Sequence, residues 1–203
     1  MKHTQMTLAV QAGGESRRMG QDKGLVPLLG QPLVTRAIER LGWLAEEVLV
    51  TTNQPEAYRF LGIPLYPDLI PGVGALSGLY TALSAARNPL VAVVACDMPF
   101  ASPDLLSFAR DRLLAEDADV SVPHSAEGYE PFHAVYRRET CLPAVKNALD
   151  AGERRLISWF KDVKVAVLQP DEIARYDPQG LAFWNLNTPD ELRQAEEIAK
   201  KHS

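Results

Sequence analysis

The chain has 203 residues, enough for one α/β domain with a proper core, and its apolar and charged shares are those of an ordinary soluble globular protein. A net charge of −5 argues against non-specific nucleic-acid binding, and no stretch is long enough to span a membrane. Cys96 and Cys141 lie far apart and form no metal or redox spacing, so they read as buried free thiols in a reducing cytosol. The N-terminal apolar run is too short for a secretory signal, and there is no internal repeat or low-complexity segment.

The first predicted strand is the apolar run Thr7 to Val10. It leads into Gln11 to Lys23, QAGGESRRMGQDK. Gly13, Gly14 and Gly20 let backbone N–H groups approach a ligand, and Arg17, Arg18 and Lys23 supply positive charge. Together they suit the oxygens of a polyphosphate, while the alternative is a surface loop with solvated charges. The segment is neither of the common phosphate motifs. Lys23 follows Asp22 rather than Gly and precedes Gly24 rather than Ser or Thr, and adjacent Gly13 and Gly14 break the dinucleotide fingerprint. No residue near Lys23 in sequence offers it a better partner than phosphate, so its truncation is expected to cost little stability.

Pro32 suits the first turn of a helix whose apolar face is Val34, Ala37, Ile38 and Leu41. A second strand, Val48 to Val50, ends in Thr51, Thr52 and Asn53, at the edge where open α/β sheets bind ligands; turn chemistry before Pro55 is the alternative. A third strand is expected at Ile63 to Tyr66, followed by Asp68. Glycines 72, 74 and 78 flank the start of a helix that buries Leu76, Leu79, Tyr80 and Leu83. LVAVVA, Leu90 to Ala95, reads as a central parallel strand buried on both faces, and Asp97 stands at its tip. A carboxylate there needs charge compensation, which a divalent cation on a nucleotide phosphate would give. A capping role is less needed, because Ser102-Pro103 already starts the next helix.

Val120 and Val122 form a fifth strand. Glu130 to Arg137 reads as a strand or strand edge whose beginning Pro131 confines to an edge or start position, and Lys164 to Leu168 is a late strand. Thr188 with Glu191 is a capping box, with Pro189 in the first turn. Asn185 and Asn187 alternate before it and would point to the same side, to orient a metal-bound water or a polar substrate, with local turn hydrogen bonds as the alternative. Alternating strands and helices predict a three-layer α/β/α architecture with a Rossmann-like, mostly parallel sheet.

These motifs, taken in order, resemble those of the nucleotidyltransferases, most closely the molybdenum cofactor guanylyltransferases. The resemblance rests on AGG…RMG…DK, the Gly30-Gln31-Pro32-Leu33 run, TTNQPE, YPD, ACDMP, EPFHAVYRR and NLNTPDEL, and it covers nearly the whole chain. It implies the nucleotide-diphospho-sugar transferase type of sheet in a single domain, 1–203. About 1–125 would be the nucleotide-binding half and about 126–203 the acceptor-binding half. It implies a cytoplasmic enzyme that uses GTP, Mg2+ and molybdopterin, binds neither nucleic acid nor membrane, and makes transient contacts with other cofactor-biosynthesis proteins or molybdoenzymes. Gln11, Ala12, Gly13, Gly14 and Lys23 would hold the nucleotide, with Asp68 contributing and Thr51 and Asn53 at the base edge. Asp97 would bind magnesium, Arg18 and Lys23 would neutralise the leaving pyrophosphate, and Asn185 and Asn187 would face the acceptor. Gln11, where the family usually has Leu, and Glu15, where Lys is common, depart from the pattern; Glu15 is expected to point to solvent. Rival readings are a cytidylyltransferase for the same pterin, a nucleotidyltransferase acting on a sugar or isoprenoid phosphate, and a non-catalytic nucleotide-binding protein.

Overall fold

A computed structural model describes residues 5–12, 15–16 and 21–201, with only the backbone for 15, 16 and 21. Among the described residues five β-strands precede the first α-helix: β1 (Met6–Gln11), β2 (Glu15–Ser16), β3 (Gln21–Asp22), β4 (Pro27–Leu28) and β5 (Gln31–Pro32). Then follow α1 (Leu33–Leu41), β6 (Glu47–Thr51), β7 (Leu65–Tyr66), α2 (Ala75–Ala85), β8 (Leu90–Ala95), α3 (Pro103–Ala115), β9 (Val120–Ser125) and β10 (Gly128–Tyr129). The chain continues through β11 (His133–Arg137), α4 (Arg138–Asp150), β12 (Val165–Leu168), α5 (Pro170–Tyr176) and α6 (Pro189–Lys200). Among the described residues, no helix is long and apolar enough to cross a membrane.

The main sheet runs β7-β6-β1-β8-β11-β9, with β12 parallel to β9 on its other side and β10 hairpinned onto the end of β9. β7, β6, β1 and β8 are mutually parallel, and β11 runs antiparallel to both β8 and β9. Side chains on β1 and β8 alternate between two cores. Leu8, Val10, Leu90, Ala92 and Val94 meet α1, α3 and α5 through Val34, Ala37, Leu105, Leu106, Ala109 and Ile173. Ala9, Val91 and Val93 meet α2 and α4 through Leu76, Leu79, Leu83 and Val145. This is the expected three-layer architecture, because strands covered on both faces need apolar residues at every position. Cys96 and Cys141 are buried and free.

The strand expected at 130–137 is present, and Pro131 stands before its start, one of the two positions the sequence allowed it. β11 begins at His133, after Pro131, and lies inside the sheet between β8 and β9. Pro131 is outside the ladder, so it does not force the strand to an edge. β11 therefore joins the expected nucleotide and acceptor halves into one sheet. The third strand is shorter than predicted, Leu65–Tyr66, and α1 starts at Leu33 with Pro32 as its N-cap residue.

A third, smaller core of Val26, Leu28, Leu33, Leu186 and Ala195, flanked by Phe100, Trp184 and Leu192, packs the β4–β5 hairpin against α6. The hairpin turns through Leu29 and Gly30, both at positive φ, 51° and 80°, as a two-residue connection between right-twisted strands requires. This core ties a segment near the start of the chain to one near its end.

Candidate functional site

The C-terminal ends of β1, β6 and β8 lie side by side. Gln11 is level with Thr51 on one neighbour and Ala95 on the other. The pairing runs past the strands: Ala12 donates to the Thr51 carbonyl at 2.9 Å, and Cys96 donates to the Gln11 carbonyl at 3.0 Å. Asp97 thus stands at the centre of the edge, beside the point where the β1 chain leaves the sheet.

Lys23 reaches Asp97 across the fold, with Nζ 2.8 Å from Oδ2, and donates a second hydrogen bond to Asn187 Oδ1. The expectation that Lys23 lacks a protein partner is therefore corrected. Its partners are 74 and 164 residues away, beyond the reach of local sequence reasoning. Asp97 is 8% exposed, and within the protein its charge is compensated by this lysine. The cap of α3 is Ser102, not Asp97: Ser102 Oγ accepts from Leu105 N and starts the helix, as the sequence suggested.

Each member of the trio is held from behind. Asp22 caps the short 3-10 turn Lys23–Leu25 by accepting from Gly24 N, and accepts a second hydrogen bond from Tyr58 Oη at 2.5 Å. Burial, then this hydrogen bond, pushes the Tyr58 hydroxyl far above its usual pKa, so it stays a donor. Gly24 packs directly on the Tyr58 ring, which leaves no room for a Cβ. The Asp97 carbonyl accepts from Leu186 N at 3.0 Å, joining the tip of β8 to the Asn185–Asn187 loop. Glu191 accepts from the N–H groups of Asn187 and Thr188 and completes the predicted capping box. The Asn187 N–H, first among these contacts, holds the Glu191 carboxyl below its ordinary pKa.

The two asparagines do different things. Asn187 joins Lys23, whereas the Asn185 side chain donates to the Phe183 carbonyl, and the Asn185 carbonyl accepts from Asn187 Nδ2. Asn53 and Asp68 form a second pair: Asn53 Nδ2 donates to Asp68 Oδ2 at 2.8 Å, and Asp68 N donates to Asn53 Oδ1 at 3.0 Å. Thr52 takes the turn role before Pro55, accepting from Gln54 N. Thr51 is buried at the end of β6. Gly13, Gly14 and Arg18 lie outside the described residues, as does the side chain of Glu15.

Asp22, Tyr58 and Glu191 escaped the sequence reading as site supports; only the Thr188–Glu191 spacing gave a signal. His133 is fully buried, accepts from Ser102 N through Nε2, and meets the Phe183 ring edge-on. Burial lowers its pKa to about 4, so it packs the core as a neutral group.

A mostly parallel α/β sheet with a lysine, a carboxylate and amides meeting at its C-terminal edge defines the nucleotide-binding α/β class. Residues 8–165 match the model of the MobA-like NTP transferase domain. The chain is 34% identical over 203 residues to the molybdenum cofactor guanylyltransferase of Shewanella pealeana, covering 98% of each chain. It is 34% identical over 196 residues to a protein of Pelotomaculum thermopropionicum described as a probable molybdenum cofactor guanylyltransferase, covering 97% of this chain and 94% of the relative. Its fold matches the crystal structure of molybdopterin-guanine dinucleotide biosynthesis protein A from Archaeoglobus fulgidus with a TM-score of 0.83 and 27% identity, over 96% of this chain and 99% of that one. The chain belongs to the MobA-like NTP transferase family, and it is a nucleotidyltransferase.

Proposed function

We propose that this protein transfers GMP from GTP to the terminal phosphate of molybdopterin, forming molybdopterin guanine dinucleotide and releasing pyrophosphate. The observation that carries the reading is the meeting of Lys23, Asp97 and Asn187 at the sheet edge, in a chain whose relatives bear guanylyltransferase names. An oxygen of the acceptor phosphate attacks the α-phosphorus of GTP, and the bond from that phosphorus to the bridging oxygen of the β-phosphate breaks. The attacking oxygen is already ionised near neutral pH, so no general base is needed. The site has to align two polyanions and neutralise the charge gathering on the leaving pyrophosphate.

Lys23, with Arg18, serves that neutralisation. Gln11 to Gly14, Thr51, Asn53 and Asp68 hold the nucleotide, and Asn185 and Asn187 attend the acceptor. No group of three or more His, Cys, Asp and Glu side chains among the described residues could hold an ion by itself. The Asp97 carboxylate and the Asn187 amide oxygen are nevertheless hard donors, and Mg2+ commonly binds one or two carboxylates while phosphate oxygens and water complete its shell. These residues fit Mg2+ brought with the nucleotide, with Asp97 as its protein ligand. The ion would supply charge neutralisation at the phosphates. While the site is free, Lys23 keeps Asp97 neutralised. When nucleotide enters, Lys23 turns to the phosphates.

The enzyme would act in the cytoplasm and meet other cofactor-biosynthesis proteins or molybdoenzymes transiently. Thermal melting tests the base preference. A ligand at about a hundredfold excess over its Kd adds roughly 2.7 kcal/mol, worth some 5–10 °C in a chain of this size. GTP with Mg2+ is expected to give a shift of that order and CTP much less. A larger shift with CTP would move the assignment to a cytidylyltransferase, and no shift with any nucleotide would count against this reading.

A further inference from the structure

Gln11 carries a buried polar group that none of the described residues engages. The residue is 9% exposed, and its Nε2 is buried without a hydrogen-bond partner among the described residues. An unpaired buried donor is costly, and at the last position of a central strand an apolar side chain would avoid that cost. Because Ala9 faces the α2 and α4 core, period two sends the Gln11 side chain toward the same layer. There its amide lies flat on Gly78, in the second turn of α2, where an added Cβ would stand 2.9 Å from Oε1. The missing Cβ leaves the amide its place. Gly74, at φ 86°, precedes α2 and gives it no side-chain cap, while its carbonyl accepts from Ser77 N and Gly78 N at 3.0 and 3.3 Å.

The two ends of the edge differ in charge. Lys23 and Asp97 stand by the third core, which packs on the α1 side, and suit phosphates and an ion. Gln11 turns to the opposite layer, and its amide is neutral. The neutral Gln11 amide offers a donor next to an acceptor, which suits a neutral heterocycle carrying the complementary acceptor and donor side by side. We propose that the Gln11 side chain reads the base, with Nε2 donating to the keto oxygen at position 6 and Oε1 accepting from N1–H. This assignment rests on the guanylyltransferase reading and makes Gln11 a specificity-determining residue of this chain, where the resembling family usually has Leu.

Calorimetric titration of the full chain with GTP, ITP and 6-thio-GTP in the presence of Mg2+ tests it, alongside Gln11→Leu. Gln11→Leu is expected to weaken GTP and ITP alike by about tenfold, the worth of one good hydrogen bond. The wild type is expected to prefer GTP to 6-thio-GTP, whose sulfur accepts weakly, and the variant to lose that preference. Free Gln11→Leu should melt above the wild type, since it removes a buried unpaired donor. Should that variant fail to fold, the wild-type GTP to 6-thio-GTP ratio and the isosteric Gln11→Glu carry the test: a ratio near one, or undiminished GTP binding by Gln11→Glu, overturns the proposal. Undiminished GTP binding by folded Gln11→Leu, or a loss seen with GTP and absent with ITP, overturns it while leaving guanylyl transfer intact. A wild type that binds no guanine nucleotide overturns both.

Discussion

Replacing Lys23 by Ala should cost stability as well as activity, because the lysine compensates a carboxylate that is 8% exposed. For two unit charges about 3 Å apart, Coulomb's law gives roughly 6 kcal/mol at an effective dielectric near 20 and about 1.5 kcal/mol in water. Desolvation of both groups takes back most of the larger figure. With side chains 22% and 12% exposed, the pair lies between a surface bridge and a buried one. Surface pairs contribute about 0–1 kcal/mol, and breaking buried pairs costs about 3–5 kcal/mol, so Lys23→Ala should destabilise the free protein by about 2 kcal/mol. In a chain of this size that is about 4–8 °C in Tm. Asp97→Asn should cost less, since the longer lysine can extend to solvent. The assay is urea denaturation of both single variants and the double variant near neutral pH. Adding Asp97→Asn to Lys23→Ala should restore part of the loss, giving a coupling energy of about 1–3 kcal/mol. Additive losses would refute the pairing. Both single variants should also lose most guanylyl transfer, and Asp97→Asn should blunt its magnesium dependence.

Two further outcomes follow from the supports of the site. Gly24→Ala places a Cβ against the Tyr58 ring, so it should displace Tyr58 from Asp22, cost about 1–3 kcal/mol and raise the KM for GTP; a variant matching the wild type in urea would contradict that contact. His133 has a folded pKa of about 4 against 6.5 in the unfolded chain, so between those values the unfolded chain binds the extra proton and stability rises with pH. The native protein should lose about 3 kcal/mol as pH falls from 6.5 to 4, and His133→Gln, which can still accept from Ser102 N, should flatten that slope; equal slopes in urea melts across this range would contradict it.

Much of the fold was legible because local signals agreed. LVAVVA had to be a strand covered on both faces, and Ser102-Pro103 and Thr188…Glu191 marked helix starts that the structure reproduces. What stayed hidden was long-range. Nothing beside Pro131 says that β11 will insert between β8 and β9, since its partners lie about 40 and about 15 residues upstream. Lys23, Asp97 and Asn187 were each singled out, yet their meeting depends on the third core, whose members are scattered from Val26 to Ala195. Asn185 and Asn187 looked equivalent by period two. They part because the loop is held by Glu191 at one end and by the Asp97 carbonyl next to Leu186. The supporting pair Asp22–Tyr58 had no signature, because a tyrosine in the 3-10 helix Pro55–Leu61 looks the same whether or not its hydroxyl finds a carboxylate.

The central claim is tested most directly by following pyrophosphate release and the nucleotide product together, with purified protein, Mg2+, molybdopterin and either GTP or CTP. Guanylyl transfer predicts pyrophosphate and molybdopterin guanine dinucleotide in equal amounts from GTP, dependent on both the acceptor and the ion, with little product from CTP. Faster, acceptor-dependent turnover of CTP, or no pyrophosphate from either nucleotide with acceptor present, would contradict it.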